Sequence, residues 1–262
     1  MMKMAKFSLS LVACAMIAAC GSSGGSSEKS AQLPSVGVNS SPSTNVSGAL
    51  TTSPYTGNVL VIKAKGDEDS VSISKSRLLD PNLNKISVDG KDIQINYPGI
   101  SSGGWSDILV RDTALHSCCS TYSDVKFGAY EGGEDGNAYF FHNGNPTKDM
   151  PTAGTASYSG HVIIAGQTEH FEDEDYLKGH SQFTADFSNK KLSGTLNVDT
   201  MKPINVNANI SNNNFTGTAS SSDFAKSASV DGKFYGDNAK ELGGVFTDNE
   251  SWAGSFGAAQ AK

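Results

Sequence analysis

Large apolar residues along this chain recur at every second position, in short runs, and almost nowhere at the three-to-four spacing of a helix. Residues 59–62 (VLVI) and 71–74 (VSIS) read as strands. Residues 86–95 read as two strands joined by a compact turn at Asp89-Gly90, and 125–130 with 138–142 as a hairpin about the loop 131–137. Residues 78–83 and 105–117 break the alternation and leave room for a short helix or a lid loop. The second half is more regular. Residues 156–165 form one strand. In 182–187, Phe183, Ala185 and Phe187 share one face and Gln182, Thr184 and Asp186 the other. The same alternation follows over 192–198, 204–210 and 215–219, with turns at Ser188-Asn189-Lys190-Lys191 and Asn212-Asn213-Asn214. Segments 230–235, 243–247 and 251–257 complete the set. About eight short antiparallel strands at even spacing predict a small closed up-and-down barrel. Glycines at 194, 217, 232, 244 and 254 are expected where such strands bend at the barrel corners. The fold class expected is all-β: an N-terminal strand-and-loop clamp followed by the barrel.

The chain before these strands is of another kind. Lys3 and Lys6 precede a short apolar run over residues 7–19, too short for a spanning helix and suited to an export signal. It ends in Ile17-Ala18-Ala19-Cys20, the shape of a bacterial lipobox, which makes Cys20 the expected lipidated first residue of the mature chain. Cleavage at an ordinary small-residue site is the alternative the same residues allow. Residues 21–54 are rich in Ser, Gly, Asn and Thr and cannot bury enough apolar surface to fold, so they read as a tether. Asn145-Pro146-Thr147 and Met150-Pro151 mark the break between the two strand regions. The expected organisation is a signal over 1–19, lipidated Cys20 and tether over 20–54, a ligand-binding clamp over 55–148 and the barrel over 149–262.

Charge and cysteine content remove several functions. The chain has 20 Lys+Arg and 27 Asp+Glu, and losing Lys3 and Lys6 leaves 18 against 27, a formal charge of −9. Such acidity excludes the basic stripe a nucleic-acid partner needs and leaves the lipid as the only expected membrane attachment. Of four cysteines, Cys14 leaves with the signal and Cys20 carries lipid. Cys118 and Cys119 remain, adjacent, in a compartment that favours disulfides. They form either a vicinal disulfide, closing a tight eight-membered ring, or two thiols. A structural zinc site wants four ligands, usually in two spaced pairs, and no second pair exists. No G-x-S-x-G, H-E-x-x-H or phosphate-cradling glycine loop is present, so a binding module is expected rather than an enzyme. The acidic stretch 170–180, flanked by His170 and His180, reads as a solvated loop between barrel strands, with divalent-metal capture as the other reading.

A resemblance adds to this. "GNPTKDMPTAGTASYSGHVII", "SQFTADFSNKKLSGTL", "NNNFTGTA", "VDGKFYGDNAKELGGVF" and "GSFGAAQ" together resemble the C-terminal barrel of transferrin-binding protein B and its relatives, across roughly residues 145–260. With room for one clamp and one barrel, the chain is most similar to the hemophilin-type haem carriers of that group, and "HSCCSTYSDVKFG" resembles their clamp sequence. The resemblance implies an outer-membrane, surface-exposed lipoprotein, exported by a Slam-type translocator, that captures haem for iron acquisition. Haem or a host haemoprotein, and a TonB-dependent receptor, are then the expected partners. His116 becomes the candidate axial ligand to haem iron and His142 the candidate second ligand, with His161 read as structural. Tyr122, Phe127 and Phe141, with Tyr139 and Phe140, would supply apolar walls for the porphyrin. The alternatives are a host-protein binder or a metal receptor without haem.

Overall fold

The computed structural model describes residues 55–65, 67–133 and 136–261. The signal, Cys20 and the tether lie outside them. Eight strands precede the barrel: β1 (Gly57–Lys65), β2 (Asp67–Leu78), β3 (Lys85–Val88), β4 (Lys91–Gln94), β5 (Ser106–Val110), β6 (Thr113–Cys118), β7 (Val125–Gly132) and β8 (Ala138–Gly144). Six of them form one antiparallel sheet in the order β2-β1-β8-β7-β6-β5, and β3 and β4 form a separate hairpin. The Asp89-Gly90 turn has positive φ at both residues, the geometry that lets a two-residue loop join twisted strands. Residues 105–117, expected to be irregular, fall almost wholly in the β5–β6 hairpin. They hide because β5 is an edge strand whose outer residues never reach a core, so no alternation marks it.

The barrel runs through β9 (Thr155–Gly166), β10 (Leu177–Asp186), β11 (Lys191–Asn197), β12 (Ile204–Ser211), β13 (Asn214–Ser220), β14 (Ala228–Tyr235), β15 (Glu241–Thr247) and β16 (Trp252–Gln260), and closes by pairing β16 with β9. Its interior holds the inward half of each alternation, including Phe183, Leu196, Val206, Phe215, Phe234, Phe246, Trp252 and Phe256. Four strand glycines sit inside, and their reason is space rather than bending. Gly194, Gly232, Gly244 and Gly254 pair directly across strands with Phe183, Phe215, Phe256 and Phe246. A Cβ on any of the four would meet its partner's ring at 2.2–2.6 Å. Each of these four rings lies over a glycine, which makes room for it inside the barrel.

The central strands of the N-terminal sheet, β1, β7 and β8, are buried on both faces. Val59, Val61, Tyr139 and Phe141 pack under the β3–β4 hairpin with Ile86, Val88, Ile93 and Ile95. Leu60, Ile62, Ala129 and Phe140, on the other face, pack against the outside of the barrel at Ile163, Ala165, Val245 and Ala253. The barrel strands β15 and β16 are therefore buried on both sides. Polar bonds fix the register of this contact. The Ser255 hydroxyl donates to the Gly128 carbonyl at 2.8 Å, and the Glu241 carboxylate accepts backbone N–H bonds from Ser123, Asp124 and Val125 at 2.9–3.0 Å.

Candidate functional site

His116 lies on β6, directly across from Asp107 on β5. Its Nδ1 is 2.7 Å from Asp107 Oδ1, and the same oxygen accepts from Lys178 Nζ on β10 at 2.5 Å. Burial opposes ionisation of Asp107, but the hydrogen bonds from Lys178 and His116 outweigh it and hold the carboxyl below its ordinary range. Tyr176 packs against the imidazole with ring centroids 5.1 Å apart, and its hydroxyl donates to Glu131 at 2.9 Å. The ring is half-buried between the N-terminal sheet and the β9–β10 side of the barrel. With Nδ1 committed to a carboxylate, Nε2 is the nitrogen left for a ligand, the arrangement histidines adopt when they bind metals.

His142 is placed otherwise. It is wholly buried between sheet and barrel, at 0% exposure. The Tyr235 hydroxyl donates to the Thr56 carbonyl at 2.9 Å and so accepts from His142 Nδ1 at 2.6 Å. Asn58 donates one amide hydrogen to Asp231 at 3.0 Å and directs the other at His142 Nε2, 3.4 Å away. Lys75 closes the row on Asp231 at 2.6 Å. Burial pushes the imidazole down to about 3, so the ring is neutral. Both nitrogens are occupied, which removes His142 as a second axial ligand in this arrangement and makes it a structural link between the two sheets.

The expected aromatic wall is divided by strand parity. Phe127 faces the barrel, where its ring covers Gly257 and contacts Trp105 and Tyr122, whereas Phe141 faces away, under the β3–β4 hairpin. Tyr139 lies with Phe141 in that outer layer, and Phe140 packs on the barrel side beside Tyr176. All five rings, Tyr122 included, are buried as packing. They do not line one open slot for a porphyrin.

Cys118 ends β6 and is joined to Cys119 as a vicinal disulfide. The pair is buried with Tyr122, Val125, Phe127 and Tyr235, and Lys126 caps its loop by donating to the carbonyls of Cys119 and Tyr122 at 2.5 and 3.0 Å. Across the sheet-to-barrel contact stands His161 on β9, its Nδ1 3.7 Å from Cys119 Sγ. His161, expected to be only structural, is paired across strands with exposed His180. Burial, with His180 alongside, lowers its pKa. The acidic stretch forms a 3₁₀ turn, Glu169–Phe171, that buries Phe171 in the barrel and sets His170 Nε2 3.5 Å from Asp223. Beside it is a cavity of about 470 Å³ lined by Glu169, His170, Asp173, Tyr176 and Lys178 among others.

The exposed surface is uneven. Among the described residues, every large hydrophobic that is exposed falls between 79 and 110: Leu79, Tyr97, Ile100, Leu109 (80%) and Val110 (49%). Leu109 and Val110 sit at the tip of β5, the edge of the six-stranded sheet. The outside of the barrel presents instead a neutral polar ladder, Ser157, Thr184, Ser193, Asn207 and Thr218 in register across five strands.

Comparison with known proteins agrees with this architecture. Residues 150–260 match the family of C-lobe and N-lobe β-barrels of Tf-binding protein B. An uncharacterized protein of Haemophilus influenzae is 36% identical over 97% of this chain and 97% of its own length. Transferrin-binding protein B of Haemophilus influenzae is 32% identical over 53% of this chain, which spans only 28% of that protein's length. In three dimensions, transferrin-binding protein B from Haemophilus parasuis superposes with a TM-score of 0.61 at 26% identity, covering 79% of this chain and 45% of the other.

Proposed function

The chain belongs to one family with that Haemophilus influenzae protein, and from its sheet-and-barrel lobe of the transferrin-binding protein B kind we propose that it is a surface lipoprotein that captures a host iron-carrying protein. The observation that carries this reading is the uneven surface. A fold whose exposed large apolar side chains all fall within residues 79–110, two of them on an edge strand with unpaired backbone, presents a protein-docking surface at that edge. Leu109 and Val110 are its anchors, and the polar barrel is the carrier. Lipidation at Cys20 would hold it to the outer membrane, a Slam-type translocator would place it outside, and a TonB-dependent receptor would take the iron onward. The test is binding of the soluble chain, from residue 21 onward, to immobilised transferrin and haemoglobin. One of them should bind at micromolar protein, and Leu109→Asp should abolish that binding while Thr184→Asp on the barrel leaves it intact. No binding to either protein, or equal binding by both variants, overturns the proposal.

A second reading is haem capture at His116. The Asp107–His116 pair favours it, because the carboxylate fixes Nε2 as the ligating nitrogen. The porphyrin would then enter beside Tyr176 rather than between Phe127 and Phe141. Hemin added to the soluble chain should give a shifted Soret band, and His116→Ala should move that band and speed haem loss. An unshifted band, or an unchanged one in His116→Ala, excludes this reading without touching the first.

A further inference from the structure

We propose that Cys118, Cys119 and His161, once the disulfide is reduced, form a binding site for a soft cation, with Cu(I) as the ion that fits. Three observations carry it. The ligand atoms of these residues lie within 4.8 Å of one another, although His161 comes from the barrel and the cysteines from the N-terminal sheet. The set is two sulfurs and one imidazole nitrogen, a soft donor set of three, which suits Cu(I) and falls one short of a structural zinc site. The surroundings suit an ion whose complex is anionic: the buried Lys126 ammonium stands on the loop that bears the cysteines, 2.5 Å from the Cys119 carbonyl. There is also a way in. His161 is half-exposed and lies beside exposed His180, so an ion arriving from solvent meets imidazole before sulfur.

The chemistry balances with a thiol as the reductant. Two equivalents of a small-molecule thiol reduce the Cys118–Cys119 bond, giving two protein thiols and one external disulfide. Cu(I) then displaces the two thiol protons and takes the neutral His161 Nδ1 as its third ligand. In the oxidised protein the sulfurs are bonded to each other, so the site exists only in the reduced state.

The soluble chain, reduced with dithiothreitol and freed of it by anaerobic gel filtration, is titrated with Cu(I) from its acetonitrile complex against a chromogenic chelator. One Cu(I) per chain should leave the chelator, and two thiols per ion should become unreactive to a disulfide reagent. The unreduced protein should take none. His161→Gln should weaken uptake by on the order of tenfold or more, with the near-UV circular dichroism unchanged. If Cys118→Ser fails to fold, the comparison of reduced and unreduced wild type still decides the matter. Equal uptake by the two forms, no uptake by the reduced form, a disulfide that resists reduction, or a His161→Gln variant that binds like wild type would each overturn the proposal.

Discussion

Removing His142 should change how stability depends on pH. In the fold its imidazole is neutral, hydrogen-bonded to Tyr235 and Asn58, with its pKa lowered by burial to about 3. In the unfolded chain it takes a proton near 6.5. As pH falls below 6.5, the unfolded state therefore gains a proton that the native state does not, and stability is lost. At about 1.4 kcal/mol per pH unit, this single residue should cost about 2 kcal/mol between pH 7 and pH 5. The loss should continue down towards pH 3. His142→Gln keeps a polar side chain of similar reach but has nothing to titrate. It should be less stable than wild type at pH 7.5, by about 1 kcal/mol for the weakened hydrogen bonds, and should lose less on acidification, so that the two stability curves cross at roughly pH 5.8 and wild type is the less stable by about 1 kcal/mol at pH 5. Urea unfolding followed by tryptophan fluorescence at half-unit intervals from pH 7.5 to 4.5 measures both. His161, also depressed by burial, and the carboxylates titrate alike in the two proteins and drop out of the difference. Parallel curves would refute the reasoning, because they would mean that the ring is protonated inside the fold or that the pocket admits water.

Three further outcomes are expected. Gly232→Ala puts a methyl 2.2 Å from the Phe215 ring, and overpacking of that kind should cost about 1–3 kcal/mol, read as a lower thermal midpoint; Phe215→Leu in the same background should recover part of the loss. A fragment of residues 149–262 uncovers Ile163, Ala165, Val245 and Ala253, so it should bind more hydrophobic dye and self-associate more than the chain from residue 21 onward, as measured by fluorescence and light scattering. Cys20→Ala should release the protein from membranes, and a variant that still partitions into detergent like wild type would disprove lipidation at Cys20.

The barrel was legible because most of its strands, β10 to β13 above all, have one face in the core and one in water, so Phe183, Ala185 and Phe187 stand out against Gln182, Thr184 and Asp186. The central strands of the N-terminal sheet are buried on both faces, and there period-2 reading finds strands but not their sides. Phe127 and Phe141 look like one aromatic wall in the sequence and are separated by a sheet in the structure. The strand glycines were visible but their purpose was not, since the ring that fills each space belongs to another strand. His116 stood out by its neighbours in sequence, while Asp107, which orients it, lay in a segment with no recognisable alternation. The link from His142 to Tyr235 joins residues 93 apart, and that from Cys119 to His161 residues 42 apart; only the way the sheet rests on the barrel brings them together.

Closing the barrel through β16 and β9 imposes an order on folding. β9 cannot gain its second neighbour until β16, seven strands later, is available, and the N-terminal sheet docks on β9, β15 and β16. A chain delivered amino-terminus first thus holds Leu60, Ile62 and Phe140 without Val245 and Ala253 until β15 and β16 have emerged. Its contacts are dominated by distant residues, the condition for slow folding. During that interval the uncovered sheet face is most prone to aggregate. The arrangement that makes the finished protein compact leaves its apolar sheet face waiting for strands made much later.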